Sequence, residues 1–359
     1  MRHSLTFFCG LAGKTRTFSN IDINKTHSQK TIFLLLIIQL LCCSFCFAQP
    51  YSQLSTSDTI TIRSKVFQTE RKVIITKSLK IKNDLQNNCI IYMDADDSNI
   101  NGIFLQSANN LMAYDEIPQS YLVGIIHENR NTELLEKDKL LKFLMEEVIP
   151  LLNDKFSIAN QLTIAGHSFG GYFATYAFIK ENVLFNSCIA ISPAYWPNKS
   201  DVLDLLHQNV NTIHGNFYLT IGDKRWDDIS LRKYVFKAQN IVKNKSNIFF
   251  NFTDLKGFSH NATPTVGFGA GLSFIYDEWE WQKILIEQER NLRSFPDFWG
   301  HTEIKADALF HLQRVSEAKV FFKEALKNVS ADNNLPAQEK KIITKRLKHK
   351  IKSCRQKKS

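Results

Sequence analysis

The sequence predicts an α/β protein with a mainly parallel central sheet flanked by helices. Two observations lead to this prediction. Short apolar segments alternate with longer segments of helical periodicity through the middle of the chain, as in parallel strands joined by crossover helices. One strand-like segment, Leu162–Ala165, also runs through a glycine-bounded turn directly into a helix-like segment, Tyr172–Lys180. Reactive residues of parallel sheets lie at such strand ends.

The predicted strands are an antiparallel entry pair followed by buried single strands. The entry pair, Thr59–Ile62 and Lys72–Thr76, is rich in β-branched residues. The later strands are short, continuous apolar runs, as in strands covered on both faces: Cys89–Met93, Tyr121–Ile126, Leu162–Ala165, Cys188–Ile191, Phe217–Ile221 and Ile248–Phe252. Apolar residues at helical spacing predict helices over 134–152, 169–181 and 229–243, and a further helix opening near Pro264.

Composition is consistent with one large domain plus appendages. The chain has 359 residues and 44% hydrophobic content, which is enough to bury a full core. Its net charge of +10 lies at the two ends, because residues 335–359 carry +9 and residues 1–48 carry +4. Residues 49–334 carry only −3. The basic excess therefore indicates a solvated helix end rather than a nucleic-acid site, and no nucleic-acid partner is predicted.

The first 48 residues are typical of an export signal. Thr31–Phe47 is an apolar run with Lys30 before it and Ala48 after it, which predicts a signal peptide over 1–48 with cleavage after Ala48. The protein is then secreted or periplasmic. If the segment is instead retained, it is an N-terminal anchor and the only predicted point of membrane contact. Among the cysteines that follow it, Cys89 and Cys188 lie in apolar runs, so buried free thiols are expected rather than a disulfide framework.

The turn at Gly166-His167-Ser168-Phe169-Gly170 has the Gly-x-Ser-x-Gly pattern of a nucleophile elbow. Its strand–turn–helix setting is the one in which this pattern exposes a serine. Glycines at both ends avoid side-chain clashes in a strained turn. Ser168 is therefore the predicted nucleophile.

A serine needs a base, and the base needs an orienting acid. In α/β-hydrolases these follow the serine along the chain as acid and then histidine. His260 stands in the loop after the last predicted strand and is the predicted base. The predicted acid is Asp223, directly after the preceding strand, with Asp227 and Asp228 as alternatives.

The tetrahedral intermediate requires two N–H donors for its oxyanion. The residue after the nucleophile, Phe169, is predicted to supply one. The second is predicted at Ala95, in the loop after the Cys89–Met93 strand.

Ser168, Phe169 and Ala95 stand within segments that resemble a known family, the esterases of the α/β-hydrolase fold related to esterase D, which includes ferric-siderophore esterases. The resemblance covers about residues 60–283 in five ordered segments: Tyr92–Asp96, Val123–Arg130, Lys142–Pro150, Gly166–Gly171 and Ile191–Trp196. It implies an α/β-hydrolase domain over 49–283 and cleavage of carboxylic esters. The chain departs from the family where relatives often have Gly-Glu-x-His, since it has Gly257-Phe258-Ser259-His260.

The expected reaction is ester hydrolysis through an acyl-enzyme, with a small-molecule ester as substrate and without a cofactor or metal. Siderophore esters and sugar esters are the substrate classes considered. The candidates for lining the substrate pocket are His127, Arg130, Tyr195 and Trp196. Two alternatives stay open: an acyltransferase that uses the same serine and histidine, and a binding scaffold without catalysis.

Residues 284–334 are predicted to be helical and outside the hydrolase domain. The spacing of their small and apolar residues is similar to that of a tetratricopeptide repeat, and a plain helical hairpin fits equally well. Either could bind a protein partner. Residues 335–359 are predicted to form a basic C-terminal tail, as a helix or a frayed end.

Overall fold

A computed structural model describes residues 55–81, 87–159 and 161–356 of the chain. The predicted signal segment, 1–48, lies outside the described residues. No helix within the described ranges is long and apolar enough to cross a membrane.

The described residues form a central eight-stranded sheet in the order β1-β2-β4-β3-β5-β6-β7-β8. The β1–β2 hairpin is antiparallel, β2 pairs antiparallel with β4, and all pairs from β4 to β8 are parallel. This confirms the predicted mainly parallel sheet with an antiparallel entry pair. The strands are β1 (Ser55–Arg63), β2 (Glu70–Ser78), β3 (Asn88–Tyr92), β4 (Ser120–Ile125), β5 (Leu162–His167), β6 (Phe185–Ile191), β7 (Gly215–Lys224) and β8 (Ile248–Ser259).

Helices cover both faces of the sheet and continue after it. Those between or beside the strands are α1 (Ser98–Ala113), α2 (Arg130–Leu135), α3 (Lys137–Phe143), α4 (Ile149–Lys155), α5 (Phe169–Lys180), α6 (Pro197–Asn209), α7 (Arg225–Val242) and α8 (Pro264–Ile275). The C-terminal helices are α9 (Asp277–Ser294), α10 (Trp299–His311), α11 (Val315–Ala331) and α12 (Ala337–Gln356).

The continuous apolar runs of the strands are explained by two cores. Along β3, Ile90 and Tyr92 pack on the face covered by α1 and α8, while Cys89 and Ile91 pack on the opposite face. Successive side chains of a strand point to opposite faces, so a strand buried on both faces needs apolar residues at every position. Each buried aliphatic side chain contributes roughly 1.5–3 kcal/mol to folding.

The segment over 134–152 is helical as predicted, but it is divided into shorter pieces. Helix α2 ends at Leu135, α3 begins at Lys137, and a π-helical turn over Leu144–Val148 leads into α4. Pro150 lies just after this turn and has no N–H to donate to the carbonyl four residues earlier. The π-helical turn lies where that regular hydrogen bond is missing.

The C-terminal helices have a core of their own, formed by residues such as Leu309, Phe322 and Leu347. The predicted basic tail is largely helix α12, and this helix is docked rather than frayed. The buried carboxylate of Glu303 accepts hydrogen bonds from Arg346 of α12 at 2.6 and 2.8 Å, and from Lys350 at 2.8 Å. The likeness of this region to a tetratricopeptide repeat stays a prediction.

Candidate active site

Ser168 occupies a strained turn between β5 and α5. Its backbone has φ of 59° and ψ of −120°, a conformation that non-glycine residues rarely adopt. Three backbone hydrogen bonds of 3.0 Å hold it there: its N–H donates to Ile191, and its carbonyl accepts from Tyr172 and Ala194. The turn leaves the serine partly exposed at the carboxyl edge of the sheet.

The glycines around Ser168 lie where little or no space is left for a side chain. A Cβ on Gly166 would lie 2.2 Å from the carbonyl carbon and oxygen of Gly170. A Cβ on Gly170 would lie 3.0 Å from Cβ of Met93 and 3.1 Å from Oδ2 of Asp94. The strand and the helix therefore approach too closely for a side chain at Gly166, and Met93 and Asp94 leave almost no room for one at Gly170.

His260 begins the 3₁₀ turn His260–Ala262, directly after β8. The last strand is longer than predicted, so the histidine follows the strand end rather than lying well inside a loop. Its ring centroid is 4.3 Å from that of His167, the residue before Ser168. The fold thus brings the predicted nucleophile and the predicted base to the same edge of the sheet.

The ring of His260 is bound by Asp228, whose Oδ1 lies 3.0 Å from Nδ1. A carboxylate oxygen only accepts, so Nδ1 carries the hydrogen and the neutral ring keeps a lone pair on Nε2. This tautomer is the one that can take a proton from a serine hydroxyl.

Asp228 is fully buried in the first turn of α7. The N-terminus of a helix favours a negative charge. Gly222 leaves the space for the carboxylate, since a Cβ on that glycine would lie 2.1 Å from Oδ2 of Asp228. A strand end, a helix start and a glycine together place this acid.

The predicted acid, Asp223, does not orient the histidine, and this part of the prediction is corrected. Its Oδ1 accepts a hydrogen bond of 2.6 Å from the N–H of Gly257, and its Oδ2 lies 3.6 Å from Nζ of Lys256. Asp227 is exposed. Asp223 therefore ties β7 to the end of β8, and Asp228 is the carboxylate on His260.

A sequence signal for Asp228 exists and was missed. The predicted helix begins at residue 229 and so places all three acids before it in a loop, whereas α7 begins at Arg225. Asp228 heads a buried stripe at spacings of three and four, completed by Leu231, Val235, Ala238 and Val242. An acid at the head of an apolar stripe faces the interior, and this could have distinguished it from its neighbours.

Of the two predicted oxyanion donors, the structure leaves only Phe169 available. Phe169 is the first residue of α5, and its N–H has no acceptor among the described residues, as is usual for the first turn of a helix. The prediction for Ala95 is corrected, because its N–H donates to the carbonyl of Ile125 at 3.0 Å. Within the described chain, the N–H groups of Asp94 and Asp96 in the same loop make no such bond.

Among the predicted pocket residues, only Trp196 provides an exposed apolar surface. Half of it is exposed, and its ring lies 5.8 Å from that of Phe169. Tyr195 is a core residue whose hydroxyl lies 2.7 Å from Oγ1 of Thr175, so its prediction as a pocket residue is wrong. His127 is also buried and is corrected in the same way.

Arg130, another candidate pocket residue, is engaged by Asp94, and a salt bridge that structures the loop is the role that the sequence favours for it. Its Nε and one terminal nitrogen donate to the two carboxylate oxygens at 2.7 and 2.8 Å. The same terminal nitrogen lies 3.4 Å from the carbonyl oxygen of His167. Arg130 therefore links Asp94, in the loop after β3, to the end of β5 next to Ser168.

Glu133 anchors the adjacent loop. Its two oxygens accept hydrogen bonds of 2.6 Å each from the buried Arg71, and Nδ1 of His127 lies 2.9 Å from it. Burial alone would raise the pKa of Glu133, but the hydrogen bonds from Arg71 and His127 outweigh burial and hold this pKa well below its usual range. These hydrogen bonds hold the loop after β4, which contains His127, in one conformation.

No group of three or more His, Cys, Asp or Glu side chains is placed to hold a metal ion in the described part of the chain. Cys89 and Cys188 are buried free thiols, as predicted. Burial raises the pKa of the Cys89 thiol to about 12.

The sheet and the serine, histidine and aspartate at its carboxyl edge define an α/β-hydrolase. The chain belongs to the esterase family described as "Putative esterase", whose model matches residues 64–314. It is a carboxylic ester hydrolase, as the resemblance implied. No curated protein matches the chain significantly.

Solved structures with this fold include several esterases. An IroE-like serine hydrolase from Shewanella oneidensis is 14% identical with a TM-score of 0.56, over 75% of this chain and 99% of that one. The enterobactin esterase FES from Shigella flexneri is 17% identical with a TM-score of 0.51, over 62% and 59%. The siderophore hydrolase EstB from Aspergillus nidulans is 16% identical with a TM-score of 0.51, over 62% and 94%. At these identities the likeness establishes the shared fold.

Proposed function

We propose that this esterase cleaves its substrate through an acyl-enzyme on Ser168. Nε2 of His260 takes the hydroxyl proton as the serine oxygen attacks the ester carbonyl, and returns it to the leaving alcohol. Water then attacks the acyl-enzyme with the same histidine as base, which releases the acid and restores Ser168. The observation that carries the proposal is the 3.0 Å contact between Nδ1 of His260 and Asp228, because it leaves Nε2 free to accept a proton.

The oxyanion is stabilised by the free N–H of Phe169 at the start of α5. The second donor comes from the loop after β3, from Asp94 or Asp96, whose N–H groups make no hydrogen bond to a described acceptor. The positive end of the α5 dipole adds to the same effect. Asp228 stabilises the imidazolium that forms on His260 during each proton transfer.

The substrate carries an apolar or aromatic group next to the scissile ester. This is supported by Trp196, which is half exposed and whose ring lies 5.8 Å from that of the partly buried Phe169, the residue after the nucleophile. Arg130 does not serve as an anion receptor, since Asp94 already binds its guanidinium. Siderophore esters belong to the substrates worth testing, because the relatives named above include an enterobactin esterase and a siderophore hydrolase.

The test is labelling with a fluorophosphonate probe, followed by turnover of an ester panel. The probe is expected to modify Ser168 in the folded protein and to leave the Ser168→Ala variant unlabelled. The panel compares aliphatic esters of increasing chain length, aryl esters, sugar esters and ferric siderophores. Full activity in Ser168→Ala would refute the mechanism, and transfer of the acyl group to an added alcohol in preference to water would assign an acyltransferase.

Export is part of the proposal. The apolar run Thr31–Phe47 and the small residue Ala48 support a cleaved signal and a secreted or periplasmic protein. Mass spectrometry of the protein from the cell envelope and medium is expected to find a mature chain beginning at Gln49. An intact N-terminus in the cytosol would contradict export.

A further inference from the structure

We infer that His167 is a positioning residue that fixes the backbone of His260 and thereby aims its ring at Ser168. The inference rests on the proposed function, since it assigns His167 a role through the proposed base. His167 is the first variable residue of the Gly-x-Ser-x-Gly pattern, and the sequence predicts no role for it. The structure places it one residue before the nucleophile and in contact with the base.

Two contacts join His167 to His260. Nε2 of His167 lies 3.0 Å from the backbone carbonyl oxygen of His260. The two rings lie 4.3 Å apart between centroids and are inclined at 42°. His167 is buried, so neither contact competes with bulk water.

The chemistry of the acceptor determines the state of His167. A carbonyl oxygen only accepts, so Nε2 of His167 must carry a hydrogen. Burial, and then the nearby His260 and Arg130, lower the pKa of His167 well below its usual value, so the ring is neutral. A neutral ring with its hydrogen on Nε2 donates to His260 without repelling the imidazolium that forms there during catalysis.

His167 does not act alone on this carbonyl. The hydroxyl of the buried Thr263 donates to the same oxygen at 2.8 Å, and it lies 2.9 Å from the hydroxyl of Ser192. Two donors therefore converge on the backbone of His260, while Asp228 binds its ring. The two donors fix the backbone from which the imidazole extends, and Asp228 fixes the orientation of the ring.

His167 is itself held on both sides. It ends β5 immediately before the strained Ser168, and its carbonyl lies 3.4 Å from the guanidinium of Arg130. Misplacing a catalytic group by about 1 Å can cost 100-fold in rate. A residue that positions such a group must therefore itself be held in place. His167 thus connects the two proposed catalytic residues, since it is bonded to Ser168 along the chain and hydrogen-bonded to the backbone of His260.

Two substitutions separate the contacts. His167→Phe keeps a flat ring but removes the donor, whereas His167→Gln loses the ring but places an amide N–H near the position of Nε2. We expect His167→Phe to lower kcat by about 10–100-fold with KM within about twofold of wild type. His167→Gln is expected to restore kcat to within about fivefold. The matched control is His214→Phe, at an exposed histidine remote from the site.

The measurements are kcat and KM on an aryl ester, the fluorophosphonate labelling rate of Ser168 and the melting temperature. Parallel losses of kcat and labelling rate in His167→Phe, recovered in His167→Gln at equal melting temperature, support the inference. A wild-type kcat in His167→Phe would overturn the inference. So would an equal loss of kcat in both variants, if that loss is accounted for by a lower melting temperature. Full activity in Ser168→Ala would instead refute the proposed function. If no ester is turned over, the labelling rates decide the question.

Discussion

Replacing Asp228 by Asn is expected to remove most of the activity while preserving the fold. The carboxylate is fully buried and lies 3.0 Å from Nδ1 of His260, and Asn has nearly the same shape. A hydrogen bond to a charged group contributes about 1.5–3 kcal/mol, and 3 kcal/mol corresponds to roughly 150-fold in rate. An amide can also donate to Nδ1, which moves the ring hydrogen to Nε2 and removes the base. The kcat of Asp228→Asn is therefore expected to fall by about 100- to 10,000-fold.

The matched control is Asp223→Asn, the same exchange five residues earlier. Asn keeps an oxygen that can accept the hydrogen bond from Gly257, so kcat is expected within about threefold of wild type. Asp227→Asn, at an exposed position, serves as a second control. The assay is steady-state turnover of an aryl ester, with the melting temperature as a check on folding. A larger loss in Asp223→Asn than in Asp228→Asn would refute the assignment of the acid.

Two further predictions follow from close contacts. Gly222→Ala places a Cβ 2.1 Å from Oδ2 of Asp228, so it should lower kcat at least about tenfold and reduce stability by roughly 1–3 kcal/mol. Gly102→Ala is its control, because a Cβ on Gly102 meets nothing within 4 Å. Full activity in Gly222→Ala would contradict the close contact between Gly222 and Asp228. Hydrogen bonds from Arg232 lower the pKa of Asp254 to about 2, so this pair stabilises the fold above the unfolded pKa near 4 and loses its effect as the pH falls towards 2. Arg232→Met should therefore lower the melting temperature more at pH 6 than at pH 2.5, and equal losses at both would contradict this.

The elements that the sequence predicted well are those whose signal is local. The strand candidates lie within or nearly within the observed strands, because a strand buried on both faces must be apolar at each position. The elements that were missed or mispredicted depend on more distant features. Helix α7 starts four residues before its predicted beginning, and β8 extends seven residues beyond its predicted end at Phe252. These boundaries are set by packing against neighbouring elements.

The polar residues in the predicted pocket illustrate the same limit. From the sequence, Arg130 and His127 are candidates for lining the substrate pocket, although a loop-structuring salt bridge is the role that the sequence favours for Arg130. Their partners, Asp94 and Glu133, are other buried groups of the same fold. The sequence does not identify these partners, because each partner is chosen by tertiary contact.

The sequence by itself determined the sheet and singled out the residues proposed here as nucleophile and base. Ser168 is fixed by a strand, a turn and a helix that are contiguous in the chain, and His260 by its place after the last strand. Only the tertiary structure shows which carboxylate contacts His260 and which residues contact the backbone of that histidine. Asp223 and Asp228 differ by five residues, yet β7 directs one to a backbone N–H and α7 directs the other to the imidazole. The physical reason is that a hydrogen bond depends on direction as well as distance, and direction is set by where each strand and helix begins and ends.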